Sequence, residues 1–423
     1  QGVSSAASDV YKRQQLVKDY GKNFCPLPFT EIANTAQGMT KLCCYSDGLT
    51  DDITKEYGSL LQGWVHDKKL NEARQMMLKD QHQPLCKRCT DYEDRGAYTM
   101  SKRVNAITNL AKNNPRLMSE IKRRGAKRIV SLDIKFGNKC NLACIMCNSH
   151  SSSLHLKEEI RNPYPENVKE FMEATGSFTD FKEQHIEEML TFASSLRRIK
   201  MTGGEPLLLP GAIKFLDKLS KTSYAKNITI VLVTNGTTDI TKLVDMMSRF
   251  KVFDVHASVD GLGTTFDYIR WPAKWSKISY NYETFIEAYK QKGYNNIRTE
   301  LNPAVQFLNL VQLPDILQYG SDVGFTMWHP ILVNKPLPLH WGLVPEKIRF
   351  EVLEKLEDIS NLPYMSTPMN HTNLLGIKNI LKSDVNLKGV SIKNTMHLIN
   401  YYDKARKYSA KDMCYRFEDL VNV

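Results

Sequence analysis

The sequence predicts an α/β protein whose main part is six consecutive strand–helix units. Strand-like and helix-like segments alternate after residue 128, which is the pattern of parallel βα units. Hydrophobic residues make up 42% of the chain and charged residues 24%, values typical of a globular protein rather than a disordered one. No apolar run approaches the roughly 18 to 20 residues that span a bilayer, so no membrane segment is expected.

The predicted strands are short apolar runs, and most are followed by a helix-like segment. They cover residues 129–137, 197–203, 227–235, 252–260, 296–306 and 325–333. Helices are predicted at 209–222, 241–250, 281–293 and 310–320. A charged insertion, 156–195, precedes the second strand and is helical in period near 165–173 and 178–193. Ligands of such proteins bind at the carboxyl ends of the strands, so the site is expected there.

The predicted domain organisation has a core domain, a domain before it, an extension after it and a short leader at the start of the chain. A small cysteine-rich domain is predicted at 15–105, the core domain at 106–335 and a helical carboxyl-terminal extension at 336–423. Residues 1–14 lack the apolar centre of a signal peptide and resemble adaptor-derived sequence. They are therefore expected to be a non-native or disordered leader.

The nine cysteines are clustered rather than scattered. Their number is odd and no secretion signal is seen, so metal or redox chemistry is favoured over disulfides. The tightest group is Cys140-Asn-Leu-Ala-Cys144-Ile-Met-Cys147. Three thiolates on one loop can hold an iron–sulfur cluster, which usually takes four ligands, and this leaves one iron open. A zinc loop completed by His150 or His155 is the alternative.

A second set of cysteines lies in the amino-terminal segment: Cys25, the adjacent pair Cys43 and Cys44, and Cys86-Lys-Arg-Cys89. Four thiolates predict a metal site, and spacing alone does not separate zinc from a four-iron cluster. Neighbouring residues of an extended segment point to opposite sides, so only one of the adjacent pair is expected to be a ligand.

The loop at 140–147 resembles the cluster loop of the radical S-adenosylmethionine (SAM) enzymes, whose partial (β/α)6 barrel also has six strands. Gly203-Gly204-Glu205-Pro206, after the second predicted strand, resembles that family's glycine-glycine-glutamate-proline motif. By this resemblance the catalytic residues Cys140, Cys144 and Cys147 hold a 4Fe-4S cluster. The edge formed by Gly203, Gly204 and Glu205 then receives the amino group of SAM.

The resemblance implies a radical SAM enzyme. Such an enzyme cleaves SAM reductively to a 5′-deoxyadenosyl radical, which takes a hydrogen atom from a substrate. Further cofactor contacts are expected at Thr234, Asn235, Ser258 and Asp260, where polar side chains follow the third and fourth strands. Arg270 is a candidate partner of the SAM carboxylate and Met146 a candidate neighbour of the adenine. Positional candidates for substrate contacts are Asn302, Gln306, Trp328 and His329.

The amino-terminal segment resembles a twitch domain, a shortened relative of the SPASM auxiliary-cluster domains. The residues Cys86, Cys89, Glu93, Gly96, Ser101 and Arg103, with the ending Asn400-Tyr-Tyr-Asp403-x-x-Arg406, resemble a family that carries this domain before the barrel. The resemblance implies a second iron–sulfur cluster on Cys25, Cys43, Cys86 and Cys89. It favours Cys43 over Cys44 because related domains place a cysteine five residues after the position of Gly38. Cys44 and Cys414 are then expected to be ordinary buried residues.

The net charge of the chain does not identify its substrate or binding partner. The net charge is +11, with basic residues concentrated at 122–128, but no RNA-binding motif with interleaved aromatic residues accompanies them. A peptide or small-molecule substrate is therefore favoured over nucleic acid. The alternatives are a radical SAM transferase acting on RNA and a zinc-stabilised binding protein without turnover. The resemblance also implies an external one-electron donor such as flavodoxin or ferredoxin, and a labile cluster implies the cytoplasm.

Overall fold

A computed structural model describes the chain except residues 1, 47, 53–55, 173–180, 384, 386, 388 and 423; of residues 2–10, 48–52, 99 and 363 it describes the backbone alone. The strands are β1 Glu31–Asn34, β2 Met39–Lys41, β3 Gly48–Asp52, β4 Ser131–Lys135, β5 Arg198–Thr202, β6 Thr229–Thr234, β7 Val252–Ala257, β8 Ile297–Leu301, β9 Ala304–Val305, β10 Met327–Trp328 and β11 Ile331–Leu332.

Nine of these strands form one sheet in the order β10-β8-β7-β6-β5-β4-β1-β2-β3. The strands β4, β5, β6, β7, β8 and β10 are parallel neighbours, which confirms the six parallel strands that the sequence predicts. The last two predicted strands are each interrupted, and their outer halves, β9 and β11, pair separately. Pro303 and Pro330 lie at the two interruptions, and each lacks the backbone N–H group of an ordinary strand residue.

The cysteine-rich segment extends the same sheet. Strand β1 pairs in parallel with β4, Glu31 beside Ser131 and Ala33 beside Asp133, and β2 and β3 add an antiparallel hairpin. The side chain of Asn34 continues the pairing, since its amide both donates to and accepts from the backbone of Lys135. The sheet therefore crosses the boundary that the sequence places at residue 105.

The amino-terminal helices are α1 Gly2–Tyr20, α2 Leu27–Thr30, α3 Leu60–His66, α4 Lys68–Leu78, α5 Lys87–Asp94, α6 Lys102–Asn113 and α7 Pro115–Arg124. The insertion carries α8 Ser153–Arg161, α9 Glu166–Lys169 and α10 Glu183–Thr191. Helix α1 covers most of the segment expected to be a leader, and that expectation stays a prediction. Part of the predicted helix 165–173 and of the predicted helix 178–193 lies outside the described residues.

The core helices are α11 Pro210–Ser220, α12 Val244–Met247, α13 Gly263–Ile269, α14 Trp275–Gln291 and α15 Leu313–Val323. The carboxyl-terminal extension is helical, as the sequence predicts, with α16 Glu346–Ile359, α17 Pro368–Leu381, α18 Ile392–Arg406, α19 Ala410–Met413 and α20 Phe417–Val421. In the part of the chain that the structure describes, no helix is long and apolar enough to cross a membrane.

The two faces of the parallel strands differ in polarity. One face is apolar and belongs to the main hydrophobic core; it includes Leu132, Ile199, Ile230 and Phe253. The opposite face of the central strands carries two groups of polar residues, one on β4 and β5 and one on β7 and β8, separated by valines of β6: Asp133, Lys135 and Lys200, then Asp254, His256 and Glu300. Because strand side chains alternate, helix packing on the first face leaves the second for polar groups.

Candidate active site

The cysteine loop follows the carboxyl end of β4 and is held by backbone hydrogen bonds to the last residue of α13 and to the turn that follows it. The N–H of Ala143 donates to the carbonyl of Trp271 at 2.8 Å, and the N–H of Ile145 donates to the carbonyl of Ile269 at 3.0 Å. Cys144 is buried, whereas Cys140 and Cys147 are half-buried. The loop is therefore anchored at its centre and presents sulfur atoms on both sides of the anchor.

Gly203 and Gly204 press against the start of this loop. The N–H of Gly204 donates to the carbonyl of Gly137, and the N–H of Glu205 donates to the carbonyl of Lys139 at 2.8 Å. A Cβ on Gly204 would lie 2.2 Å from the carbonyl oxygen of Lys139. Gly203 has a φ of +122°, and its Cβ would lie 2.8 Å from the carbonyl oxygen of Gly137. The close approach predicted for these glycines is thus made to the cysteine loop, and a contact with SAM stays a prediction.

Glu205 joins the ends of β5 and β6. Its buried carboxylate accepts hydrogen bonds from the hydroxyl of Thr234 at 2.9 Å and from the N–H of Asn235 at 2.7 Å. It also accepts one from the N–H of Leu207. Burial raises the pKa of Glu205, while these hydrogen bonds lower it. The sequence predicts these three residues as separate cofactor contacts, and the structure brings them together as one hydrogen-bonded group.

Asn235 connects this group to the first cysteine. Its side-chain nitrogen lies 3.9 Å from the sulfur of Cys140 and donates to the side-chain oxygen of Asn141 at 3.1 Å. Asn235 is buried and Thr234 more so. Asn235 therefore links the Glu205 group to the sulfur that begins the cysteine loop.

Arg270 and Asp260 form a buried ion pair on the other side of the loop. Nη1 of Arg270 donates to Oδ2 of Asp260 at 2.5 Å, and Oδ1 of Asp260 accepts from the N–H of Ala304. Nε of Arg270 has no partner among the described residues. Burial lowers the pKa of Arg270, but the neighbouring Cys144 and Asp260 raise it further. Arg270 therefore carries its charge toward the cysteines with one donor still free.

Two other candidate contacts lie nearby. Ser258 is half-buried, and its N–H donates to the carbonyl of Thr234 at 3.1 Å. Met146 is partly buried and packs on the main hydrophobic core. Neither position contradicts the predicted role.

The three thiols of the loop influence one another electrostatically. Burial raises the pKa of Cys144 to about 12 and of Cys147 to about 11, and the neighbouring thiols add to both shifts. The pKa of Cys140 is also raised, by burial first, while Arg270 lowers the pKa of all three. A metal cluster must therefore displace protons to bind here.

The alternative to a cluster on these thiols is a zinc loop completed by His150 or His155. Among the described residues, no three His, Cys, Asp or Glu side chains converge as ligands of one metal ion. Ligands of a four-iron cluster bind different irons and need not converge in that way. Both ring nitrogens of His155 instead contact tyrosine hydroxyls, of Tyr402 at 3.3 Å and Tyr164 at 3.4 Å, which argues against His155 as a zinc ligand.

The carboxyl-terminal helix α18 holds the loop from outside. Arg406 makes two hydrogen bonds of 2.7 Å to the carboxylate of Glu158 and donates to the carbonyl of Ala143 at 2.6 Å. The hydroxyl of Tyr402 donates to the carbonyl of Ile145 at 3.4 Å. The sequence singles out Arg406 by resemblance alone and gives no signal for Glu158, since an acidic residue on a charged helix is normally solvated.

The amino-terminal thiols also lie within electrostatic range of one another. Burial raises the pKa of Cys25, and the neighbouring Cys86 and Cys89 raise it further. Burial also raises the pKa of Cys43, with contributions from Cys44, Cys25 and Cys89. The pKa of Cys86 rises to about 11, again by burial first.

Cys43 and Cys44 have different surroundings. Cys43 is buried among the other amino-terminal thiols, whereas Cys44 is half-buried and lines a cavity with Lys200. The expectation that Cys44 is an ordinary buried residue is therefore wrong in part, because the hairpin turns it toward open space. Cys414 is buried, as the sequence predicts.

Arg103 carries a positive charge beside the amino-terminal thiols. It forms an ion pair with the buried carboxylate of Glu93, which also accepts a hydrogen bond of 2.6 Å from the hydroxyl of Ser101. Burial lowers the pKa of Arg103, while Cys25 and Cys89 raise it. A buried guanidinium at this position stabilises negative charge on the sulfur atoms.

The candidate substrate contacts are divided between the core and the polar face. Trp328 is fully buried, and α17 holds its backbone through Asn370 and Asn373. Gln306 is fully buried, and neither atom of its amide has a partner among the described residues. The side-chain amide of Asn302 donates to the backbone carbonyl of His329. The pKa of the His329 imidazole falls to about 3, because of burial first and then the charge of Lys102.

Comparisons with known proteins identify the class of this region. The family model described as the Radical SAM superfamily matches residues 134–305, which run from β4 to β9 and include the cysteine loop. A curated relative, the probable GTP 3′,8-cyclase of Methanocaldococcus jannaschii, is 26% identical over 211 residues, or 48% of this chain and 59% of that protein. The chain thus spans about three fifths of the length of that relative.

Three solved structures are similar over part of the chain. The structure described as native anSMEcpe with bound AdoMet and Cp18Cys peptide has a TM-score of 0.38 and 20% identity, covering 54% of this chain and 59% of that one. Streptococcus suis SuiB has a TM-score of 0.35 and 12% identity, covering 66% and 55%. Coproporphyrinogen III oxidase (HemN) of Escherichia coli has a TM-score of 0.32 and 12% identity, covering 60% and 51%.

Residues 134–305 therefore match the Radical SAM superfamily, and this match together with the similarity to the curated cyclase supports an enzyme. The superfamily implies a four-iron cluster and SAM as cofactors. The match begins after the amino-terminal cysteines, so the twitch domain and its second cluster stay predictions.

Proposed function

We propose that this protein is a radical SAM enzyme that uses a four-iron cluster on Cys140, Cys144 and Cys147 to cleave SAM and abstract a hydrogen atom from its substrate. One observation carries the proposal. The three-cysteine loop lies between Gly204 on one side and Arg406 on the other, inside a matched Radical SAM superfamily domain. A loop fixed on two sides can hold three sulfur atoms in a constant arrangement, which an open fourth iron requires.

The residues of the loop fit this cofactor. Their thiols are buried or half-buried and lie within electrostatic range of one another, and Arg270 favours their ionised forms. When bound, the cluster supplies the electron that breaks a carbon–sulfur bond of SAM and releases methionine and a 5′-deoxyadenosyl radical. The chain supplies the ligands, the orientation and the exclusion of water.

The surrounding residues bind and orient the cofactors. Gly203 and Gly204 keep the end of β5 against the loop, and Glu205 fixes Thr234 and Asn235 at the same edge. We place the ammonium of SAM at this edge, where the carboxylate of Glu205 complements its charge. We place the SAM carboxylate near Arg270, whose Nε has no partner among the described residues. Ser258 and Asp260 are the proposed polar contacts on the next strand.

We also propose a second iron–sulfur cluster on Cys25, Cys43, Cys86 and Cys89 of a twitch-like domain. Their mutual electrostatic influence and the charge of Arg103 support this set. The different surroundings of Cys43 and Cys44 support Cys43 as the ligand. Zinc remains the chemical alternative, since four thiolates also bind zinc.

The proposed substrate is a peptide or a small molecule, and the proposed electron donor is a flavodoxin or a ferredoxin. We place the protein in the cytoplasm because thiolate-bound iron clusters need reducing conditions. The polar face of the sheet supports a polar substrate, since a molecule bound there would meet Glu300, His256 and the lysines of β4 and β5.

Anaerobic reconstitution and SAM cleavage test the proposal. The wild-type protein should bind roughly eight irons if both clusters form and roughly four if only the catalytic one forms. Under dithionite it should release methionine and 5′-deoxyadenosine, and Cys140→Ala should abolish this release. The matched control is Cys414→Ala, which removes a buried cysteine that belongs to neither thiol set. Retained cleavage in Cys140→Ala, or zinc with negligible iron in the wild type, would overturn the proposal.

A further inference from the structure

A cavity of about 220 Å³ lies on the polar face of the sheet, between the β2 hairpin and the ends of β4 and β5. Its lining includes Lys41, Cys44, Asp133, Lys135, Lys200 and Gly203. The volume is well above the roughly 10–15 Å³ that one water molecule needs in the same measure. Gly203 belongs to the edge assigned to SAM, so the cavity adjoins the proposed reaction centre.

The strand register places the lysines around one space. Asp133 pairs with Lys200, and Lys135 pairs with Thr202, so the side chains of Lys135 and Lys200 are diagonal neighbours on adjacent strands. Lys41 approaches from β2, where its ammonium donates to the carbonyl of Cys44 at 3.2 Å. Three ammonium groups thus face one carboxylate.

Lys135 and Lys200 differ from the lysines of α11 in their pairing. Neither Lys135 nor Lys200 has a hydrogen bond or ion pair for its ammonium within the described ranges of the chain, whereas Lys214 and Lys218, on α11, pair with acidic partners. Burial lowers the pKa of Lys135 to about 8, and the charge of Lys41 adds to the effect. For Lys200, burial lowers the pKa, but Asp133 and Cys44 raise it further. A fold that keeps unpaired cations half-buried leaves them available to a ligand.

We infer that this cavity binds an anionic group of the substrate, a phosphate or a carboxylate, through Lys135, Lys200 and Lys41. The inference rests on the proposed function because it takes the occupant of the polar face to be the substrate. It narrows the substrate class to molecules that carry an anion close to the hydrogen atom that is abstracted. An ammonium from each of three strands can surround such a group with charge-assisted hydrogen bonds.

Cys44 provides a reporter inside the cavity. In the anaerobically reconstituted holoprotein, we would compare how fast Cys44 reacts with an anionic and a cationic methanethiosulfonate reagent, identifying the product by peptide mass. The ratio of the two rates cancels the intrinsic reactivity of the thiol and reports the local potential. We expect the anionic reagent to react at least about tenfold faster, because a cationic cleft concentrates anions. Equal rates, or no modification of Cys44, would overturn the inference.

Competition identifies the anion in the wild-type protein, without relying on any variant. Inorganic phosphate should protect Cys44 from the anionic reagent if the site takes phosphate, and succinate should do so if it takes carboxylate. Protection by neither would overturn the inference. SAM added alone should leave the rate ratio unchanged; if SAM removes the preference, the cavity holds the cofactor's own carboxylate and the inference is wrong.

Lysine variants add a second test. Lys135→Met and Lys200→Met should each lower the rate ratio by about two- to threefold, whereas Lys226→Met should leave it unchanged. Lys226 is exposed and precedes β6, at the amino end of the parallel strands. An unchanged ratio in both cavity variants would contradict the inference. SAM cleavage, measured on the same preparation, tests the proposed function, whereas the rate ratio at Cys44 tests the anion site. Each measurement can therefore contradict its own hypothesis without affecting the other.

Discussion

Gly204 leaves no room for a side chain, and this determines how the cysteine loop begins. The position that a Cβ would take lies 2.2 Å from the carbonyl oxygen of Lys139 and 2.6 Å from the carbonyl carbon of Asn138. Both are backbone atoms, which cannot rotate away as the end of a flexible side chain can. The glycine is therefore required by contact with the protein itself, one residue before Cys140.

We expect Gly204→Ala to displace the loop and lower stability by about 1–3 kcal/mol, the usual cost of overpacking. The Gly204→Ala variant should also retain less iron than the wild-type protein after anaerobic reconstitution. The matched control is Gly211→Ala, where the nearest atom to the new Cβ is 3.5 Å away, in ordinary contact. Because Gly211 lies in α11, alanine there should be neutral or stabilising by about 0.5–1 kcal/mol. Equal iron content in the two variants would contradict the role given to Gly204.

Protonation of His155 makes the free energy of unfolding depend on pH. Its pKa falls from 6.5 to about 3, first because of burial and then because of the charge of Arg406. The unfolded chain therefore binds more protons than the folded protein between pH 6.5 and 3. The stabilisation by neutral His155 is complete above pH 6.5 and is lost as the pH falls toward 3.

We expect the free energy of unfolding to fall with a slope approaching about 1.4 kcal/mol per pH unit from this group below pH 6.5. His155→Gln can still bond the hydroxyls of Tyr402 and Tyr164 but does not titrate, so its profile should be flatter by that slope. Urea titrations of both proteins at several pH values between 7 and 4.5 measure the difference. Parallel profiles would show that His155 is not the group responsible.

At the scale of elements, helix α18 connects the last part of the chain to the cysteine loop. Arg406 and Glu158 are buried, and the guanidinium also holds the carbonyl of Ala143. A buried pair of this kind is costly to break from one side, since the remaining charge has no partner. The carboxyl-terminal extension therefore has a structural role at the reaction centre.

We expect Arg406→Met to destabilise the protein by about 3–5 kcal/mol, because it leaves Glu158 charged and unpaired. The double variant Arg406→Met with Glu158→Gln should recover part of that loss. The control is Lys411→Met, whose ion pair with Glu418 is exposed and therefore contributes little to stability. Chemical unfolding measures the free energy of unfolding of all three variants. The iron content after reconstitution shows whether the cysteine loop is affected. Similar losses for Arg406→Met and Lys411→Met would contradict the role of α18.

At the scale of the whole molecule, one sheet joins the cysteine-rich segment to the Radical SAM superfamily domain. Strand β1 satisfies the edge of β4 through three paired residues and the side chain of Asn34. An unpaired parallel strand at this position would expose a row of backbone donors and acceptors. The amino-terminal segment therefore covers the edge of β4, besides carrying its own thiols.

Hydrogen exchange tests this continuity. We expect the amides of β1, β4 and β5 to exchange with similar free energies of opening, because they share one hydrogen-bonded ladder. The edge strand β3 should exchange faster and serves as an internal reference. Exchange of β1 at the rate of β3, with β4 still protected, would show instead that the cysteine-rich segment opens as a separate domain.

The sequence by itself determined the local features of this protein. Alternating apolar and polar segments predicted six parallel strands, and clustered cysteines with a Gly-Gly-Glu-Pro motif predicted the reaction centre at the ends of the strands. These features depend on periodicity and on short spacings, which are visible in a single chain. The two interrupted strands escaped prediction, although Pro303 and Pro330 marked the breaks.

Only the tertiary structure decided which distant residues meet. It brought Arg406 to Glu158 and Ala143, joined β1 to β4, and turned Cys44 and Lys41 toward Lys135 and Lys200. Such contacts join residues up to 263 positions apart. They follow from how whole elements pack, and no local pattern records that a charged residue on one helix will be buried by another.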